Sequence, residues 1–192
     1  GAPAMPSTRS YGASAGIQTS ALSTGGDDGG WPPSGGGSTN ADSYNGSTWA
    51  SETAYPTSSY GNTGCGTSET EAFVAGGQVP YPGGNPSVAT YNGTAWTLTA
   101  TPLNTLLPAN GQQMAKYGTS TNALAFGGAS GQTATASWNG TAWASQPNMG
   151  TGRTSGGGLG IATSALAVGG ESPGTPYGDQ VEEFTGAALE TQ

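Results

Sequence analysis

The chain of 192 residues carries 36 glycines and 13 prolines, about a quarter of its length, with 3 basic and 11 acidic residues, no histidine and one cysteine. A formal charge of −8 with no basic patch excludes nucleic-acid binding, which needs lysine and arginine to displace phosphate counterions, and disfavours anionic membrane surfaces. No apolar run approaches the roughly 20 residues of a membrane-spanning helix, Cys65 has no partner for an internal disulfide, and the missing histidines remove the commonest general base and metal ligand together.

Short apolar stretches punctuated by glycine run the length of the chain. The first group predicts strands at Tyr11 to Ala15, Thr19 to Thr24, Ala41 to Tyr44 and Thr48 to Ser51. The second predicts Tyr60 to Cys65, Ala72 to Ala75, Val88 to Tyr91 and Ala95 to Thr99. The third, the cleanest, predicts Gln113 to Tyr117, Asn122 to Phe126, Thr135 to Trp138 and Thr141 to Ser145. The fourth predicts Gly156 to Gly160, Ser164 to Val168, Val181 to Phe184 and Ala187 to Glu190. No stretch keeps apolar residues at helical spacing without Gly or Pro inside it, so no helix is expected.

Each group repeats the same punctuation. Gly16, Gly66, Gly118 and Gly160 read as a turn before the apolar strand. That strand stops at Gly25-Gly26, Gly76-Gly77, Gly127-Gly128 or Gly169-Gly170, residues that tolerate positive φ. Gly66 stands one residue further from its double glycine than the others do, which predicts a bulge or insertion. Tyr44-Asn45-Gly46, Tyr91-Asn92-Gly93, Trp138-Asn139-Gly140 and Phe184-Thr185-Gly186 then mark a turn, 47, 47 and 46 residues apart. Asn-Gly predicts a two-residue type I′ hairpin. Trp49, Trp96, Trp143 and Leu189 close the units. A period of this size means an array, a solenoid or a propeller.

The units resemble the kelch repeat, which places a double glycine after its second strand, a Tyr before a turn and a Trp in its last strand. Gly25-Gly26, Tyr44 and Trp49 match, as do Gly76-Gly77, Tyr91 and Trp96. The third unit puts Trp138 for the Tyr, and the fourth puts Phe184 and Leu189. Pro6 to Arg9 fits a kelch-like Pro-x-x-Arg start, and Arg153 stands at the matching place of the fourth unit. The resemblance implies an all-β fold: a kelch-like β-propeller or propeller segment with four blades of four antiparallel strands. The single domain spans 1–192, with blades near 5–54, 55–101, 102–147 and 148–192. Kelch propellers usually close with six or seven blades. Four blades leave three arrangements: a small closed ring, a ring or stack completed by copies of the chain, or part of a longer protein. Unpaired edges favour the assembled state. The charge-poor style, as in Tyr91-Asn92-Gly93-Thr94-Ala95-Trp96, resembles kelch-like repeats in structural proteins of tailed bacteriophages, especially marine ones.

The in-phase Trp and Tyr positions read as packing between neighbouring units. The connections between second and third strands, Asp27 to Asn40, Gln78 to Ser87, Ala129 to Ala134 and Glu171 to Gln180, vary in length around a constant framework. Variation at one place per repeat maps to one face, often the binding face. Trp31, Tyr81 and Tyr177 lie there and are the candidate contact residues, able to stack on a sugar or anchor a protein. Asp27-Asp28 lacks the spaced acids of a calcium loop and reads as solvated charge. Glu182-Glu183 sits on a strand whose alternation turns the two side chains to opposite faces, with no matching acid for a paired-carboxylate glycosidase. Without histidine no Ser-His triad forms. Asn45, Asn92 and Asn139 match the N-glycosylation pattern, but the turn already accounts for them.

These readings predict a non-enzymatic structural or adhesive protein of the phage virion: a fibre, tail or capsid appendage on the virion surface, without cofactor or metal. Its partners are other virion proteins or copies of itself, and a cell-surface glycan is a further candidate. The alternative is a free extracellular carbohydrate-binding module or glycan-active enzyme. An intracellular kelch adaptor is a third class, and such proteins usually carry a partner domain.

Overall fold

The computed structural model describes residues 3–29, 36–78, 84–102, 112–114, 118–128, 131–172, 174, 178–186 and 189–191. Among them there is no helix. The described residues form sixteen strands in four sheets. Sheet I holds β1 (Ala13–Ile17), β2 (Ser20–Thr24), β3 (Ala41–Tyr44) and β4 (Trp49–Ser51). Sheet II holds β5 (Thr63–Ser68), β6 (Glu71–Ala75), β7 (Val88–Tyr91) and β8 (Trp96–Leu98). Sheet III holds β9 (Gln112–Met114), β10 (Ala123–Gly127), β11 (Thr135–Trp138) and β12 (Trp143–Gln146). Sheet IV holds β13 (Gly157–Ile161), β14 (Ser164–Val168), β15 (Val181–Phe184) and β16 (Leu189–Thr191). Each sheet is a meander whose strands pair antiparallel in chain order.

The third strand of every sheet falls where the sequence places it. The first strands do not. Three of them run past the glycines read as turns, so that Gly16, Gly66 and Gly160 lie inside β1, β5 and β13, whereas β9, Gln112–Met114, lies ahead of Gly118. The role of the three enclosed glycines is steric. A Cβ at these positions would stand 2.1, 2.3 and 2.2 Å from the carbonyls of Ser20, Glu71 and Ser164 on the paired strand, and all three have positive φ. The extra residue of the second unit appears as a register shift between Gly66 and Ser68, the bulge its spacing predicts.

The third-to-fourth-strand hairpins also depart from expectation. Tyr44 pairs with Trp49, Tyr91 with Trp96 and Trp138 with Trp143, leaving a four-residue loop where two were expected. Only the glycine of each Asn-Gly has positive φ. The Asn45 Oδ1 accepts the N–H groups of Ser47 (3.0 Å) and Thr48 (2.9 Å), and Asn92 and Asn139 do the same in their loops. This Asx turn gives two backbone donors a partner, which a type I′ turn would not.

The sheets pack face to face in chain order, and alternation along the second strands shows how. In β6, Ala72 and Val74 meet sheet I, whereas Phe73 and Ala75 meet sheet III. In β10, Ala123 and Ala125 meet sheet II, whereas Leu124 and Phe126 meet sheet IV. Burial on both faces is why these strands read as unbroken apolar runs. We call the face toward the preceding sheet the front and the other the back. The turn aromatics lie on the front: Tyr91 packs on sheet I, Trp138 on sheet II and Phe184 on sheet III. Trp96 and Trp143 stack beside their neighbours, with ring centroids 4.8 and 5.5 Å apart. The first strands run side by side: β1 by β5, β5 by β9, β9 by β13. Glycine permits this approach, since a Cβ at Gly66 would stand 3.0 Å from the Ala15 Cβ and one at Gly118 would stand 3.1 Å from the Cys65 Sγ. Cys65 is fully buried.

The junction of sheets I and II carries a pH dependence. The Tyr91 Oη donates to Glu52 Oε2 over 2.9 Å. Burial first, then the Glu52 bond and charge, push the Tyr91 hydroxyl up to about 12. An unfolded tyrosine titrates near 10. The fold therefore holds the neutral phenol, and its contribution is full below pH ~10 and lost as pH rises through ~12. The urea midpoint of the native chain should fall over this window, and Tyr91→Phe should reduce that fall while lowering stability near neutrality by about 1 kcal/mol. Identical alkaline slopes for the two proteins would discard this account.

Candidate functional site

The varied connections all leave from the same place in each sheet, after the second strand, and the double glycines set their departure. Both glycines of each pair have positive φ. The first binds its own sheet: Gly25 N–H donates to Asn40 O, Gly76 to Ser87, Gly127 to Ala134 and Gly169 to Gln180, over 2.9 to 3.1 Å. In sheets I and III the second reaches the next sheet. Gly26 N–H donates to Ser59 O over 2.8 Å, and Gly128 N–H to Arg153 O over 3.0 Å. Its carbonyl meanwhile accepts from the connection itself, from Ser38, Asn85, Gly131 or Gly178. Each connection thus starts on a frame tied to its own sheet, and in sheets I and III to the next sheet as well.

Arginine fastens this end in sheets I and IV. Arg153 is buried and donates to the carbonyls of Gly169 (3.1 Å) and Gln180 (2.9 Å) and to Glu182 Oε1 (2.5 Å). Arg9 does the same in sheet I, with Gly25, Asn40 and the Asp42 carboxylate. The guanidinium thereby joins the end of the second strand to the start of the third. Burial lowers the Arg9 pKa, and Asp42 partly offsets it. Glu182 also accepts from the N–H groups of Gly150 (2.6 Å) and Thr151 (3.1 Å), which tie the link from sheet III. The sequence reading named both arginines and Glu182 but paired neither arginine with an acid. A signal existed: the second residue of the third strand is acidic only in the two units with arginine. In sheet II the corresponding residues are Ser59 and Ala89, both buried.

Beside this anchor, Thr8, Arg9, Ser10, Asp27, Asp28 and Gly29 line an open depression of about 250 Å³. Asp27 pairs through its backbone with Ser10, and its Oδ1 accepts from Gly29 N–H over 3.0 Å. Trp31, Tyr81 and Tyr177, the predicted contact residues, lie outside the described residues. Glu182 and Glu183 face opposite ways as alternation required, with Glu182 buried in its ion pair and Glu183 half-buried. Glu182 is therefore held by three donors as a structural acceptor. Among the described residues no three His, Cys, Asp or Glu side chains group to hold a metal ion. The loop end offers backbone groups, hydroxyls and carboxylates on a fixed frame, which suits recognition of a polar surface. No protein-family model matches the chain, and no curated protein matches it.

Proposed function

We propose that the chain is a kelch-like propeller segment serving as a non-enzymatic structural or adhesive part of a tailed-phage virion. The observation that carries this reading is the division between a constant frame and connections of unequal length at one end of it. Recognition proteins divide the same way, with a rigid scaffold presenting variable loops. In this reading the frame is a blade array, and Trp31, Tyr81 and Tyr177 are the contacts its loops present to a neighbouring virion protein or a cell-surface glycan. A charge-poor surface suits close, permanent neighbours.

Density-gradient fractionation of the native source, followed by peptide mass spectrometry, tests the role. Co-migration with virus-sized particles is the expected result, and recovery as a small soluble species would end the virion reading. Replacing Trp31, Tyr81 and Tyr177 together by Ala should lower binding to the partner at least tenfold while leaving the melting temperature unchanged. Unaltered binding would move the contact away from these loops.

A further inference from the structure

The sheet stack has two end faces, and they match. Equivalent positions on the back of sheets I to III are covered by the next sheet: Leu22, Phe73 and Leu124 on the second strand, and Ala15 and Cys65 on the first. On sheet IV the same positions hold Leu166, which is half-buried, and Leu159, which is 49 % exposed. Phe126, at 2 % exposure, becomes Val168 at 37 %. The front of each later sheet offers an alanine and an aromatic to this apolar set: Ala72 with Tyr91, Ala123 with Trp138, Ala165 with Phe184. The front of sheet I carries the same combination, Ala21 with Tyr44, both half-buried and outside the buried clusters that join the described sheets. Trp49 already stacks on Tyr44 with centroids 5.1 Å apart, the arrangement that Trp96 and Trp143 adopt inside the stack.

The backbone is matched too. The second-glycine N–H of sheets I and III donates to Ser59 O and Arg153 O of the following sheet. The equivalent donor on sheet IV, Gly170 N–H, has no acceptor among the described residues, and the equivalent acceptor, Arg9 O, has no donor among them.

We propose that the back of sheet IV docks on the front of sheet I of a second copy of this chain, head to tail, repeating the internal junction. In that junction Leu159 lies over Gly16, as Ala15 lies over Gly66 and Cys65 over Gly118. Leu166 and Val168 cover Ala21 and Tyr44, and Gly170 N–H donates to Arg9 O. Such an interface is heterologous, so it propagates into a closed ring or an open fibre. The inference rests on sheet packing alone and stands apart from the virion reading.

Disulfide trapping tests it. Inside the stack a Cβ on Gly64 would stand 3.2 Å from the Ala13 Cβ. The end-face equivalents are Ser14 and Gly157, both exposed, and a small opening of this spacing reaches the roughly 3.5–4.5 Å between Cβ atoms that a disulfide takes. The double variant Ser14→Cys, Gly157→Cys, oxidised at high protein concentration, should give a reducible ladder of dimers and larger species. Either single variant should give none. A disulfide formed only within one chain would mean that sheets IV and I close on each other, and would overturn the proposal. So would the absence of any disulfide. As a second measurement, sedimentation of the native chain should show concentration-dependent association, weakened at least tenfold by Leu159→Glu with Val168→Glu. These exposed positions leave the monomer's own packing intact. A native chain that stays monomeric at every concentration would overturn the proposal as well.

Discussion

Replacing Arg153 by Ser should destabilise the fold by about 3–5 kcal/mol, the effect of leaving a buried carboxylate without its counter-ion. An exposed ion pair would lose less than about 1 kcal/mol, so the magnitude itself reports burial. Glu182 is only 1 % exposed and would keep just the Gly150 and Thr151 donors. Glu182→Ala alone should be similarly damaging, because it strands the guanidinium on two carbonyls and frees both N–H groups. The double variant Arg153→Ser, Glu182→Ala copies sheet II, where Ser59 and Ala89 fill these places without charge. It should lose markedly less than the sum of the single changes, with a coupling of about 2 kcal/mol or more. Urea unfolding of the four proteins measures that coupling. Strict additivity would mean that the two side chains do not act as a pair.

Gly66→Ala should be comparably severe, at about 3–5 kcal/mol from strained backbone and overpacking combined. Gly66 has φ +148°, and a Cβ there would stand 2.3 Å from Glu71 O, 2.9 Å from Ala72 Cα and 3.0 Å from Ala15 Cβ. Two of these neighbours are backbone of the paired strand and cannot swing aside. The third belongs to sheet I, so the substitution strikes the β5–β6 pairing and the sheet I–sheet II junction at once. Gly36→Ala is the control, since among the described residues nothing lies within 4 Å of its added Cβ and its φ is unremarkable. Thermal melts should separate the two variants by roughly 6–20 °C if Gly66 acts as described. Similar melting temperatures would show that β5 can shift to accommodate the methyl.

What the sequence reveals of this fold depends on the period of each signal. Third strands such as Ala41–Tyr44 are bounded by a variable connection and by a turn, so both ends are marked. First strands are not, because their glycines serve close approach inside a strand and carry the same letter as glycines in turns. Asn45 misled for a related reason. Its backbone conformation was inferred from a hairpin rule, but its side chain takes two N–H groups and builds a different loop. The order in which sheets stack is legible once β6 and β10 are seen to be apolar on both faces, whereas β2 and β14 alternate with Ser23 and with the open Val168. The buried acids were legible only by comparing units with one another: neither Asp42 nor Glu182 stands out alone, but each accompanies an arginine. The candidate contacts Trp31, Tyr81 and Tyr177 rest on loop variation, a signal that marks where recognition sits and leaves the ligand open.

The double-glycine ties have an evolutionary consequence. Each connection is anchored at both ends by backbone bonds that no side chain supplies. Its sequence can therefore drift without loosening the sheets. Its length is almost as free, because doubling a flexible loop adds only about 0.6 kcal/mol of closure entropy. The four connections, of 14, 10, 6 and 10 residues, already span that range within one chain. A lineage under pressure to change what it touches could rewrite these segments repeatedly while inheriting everything else.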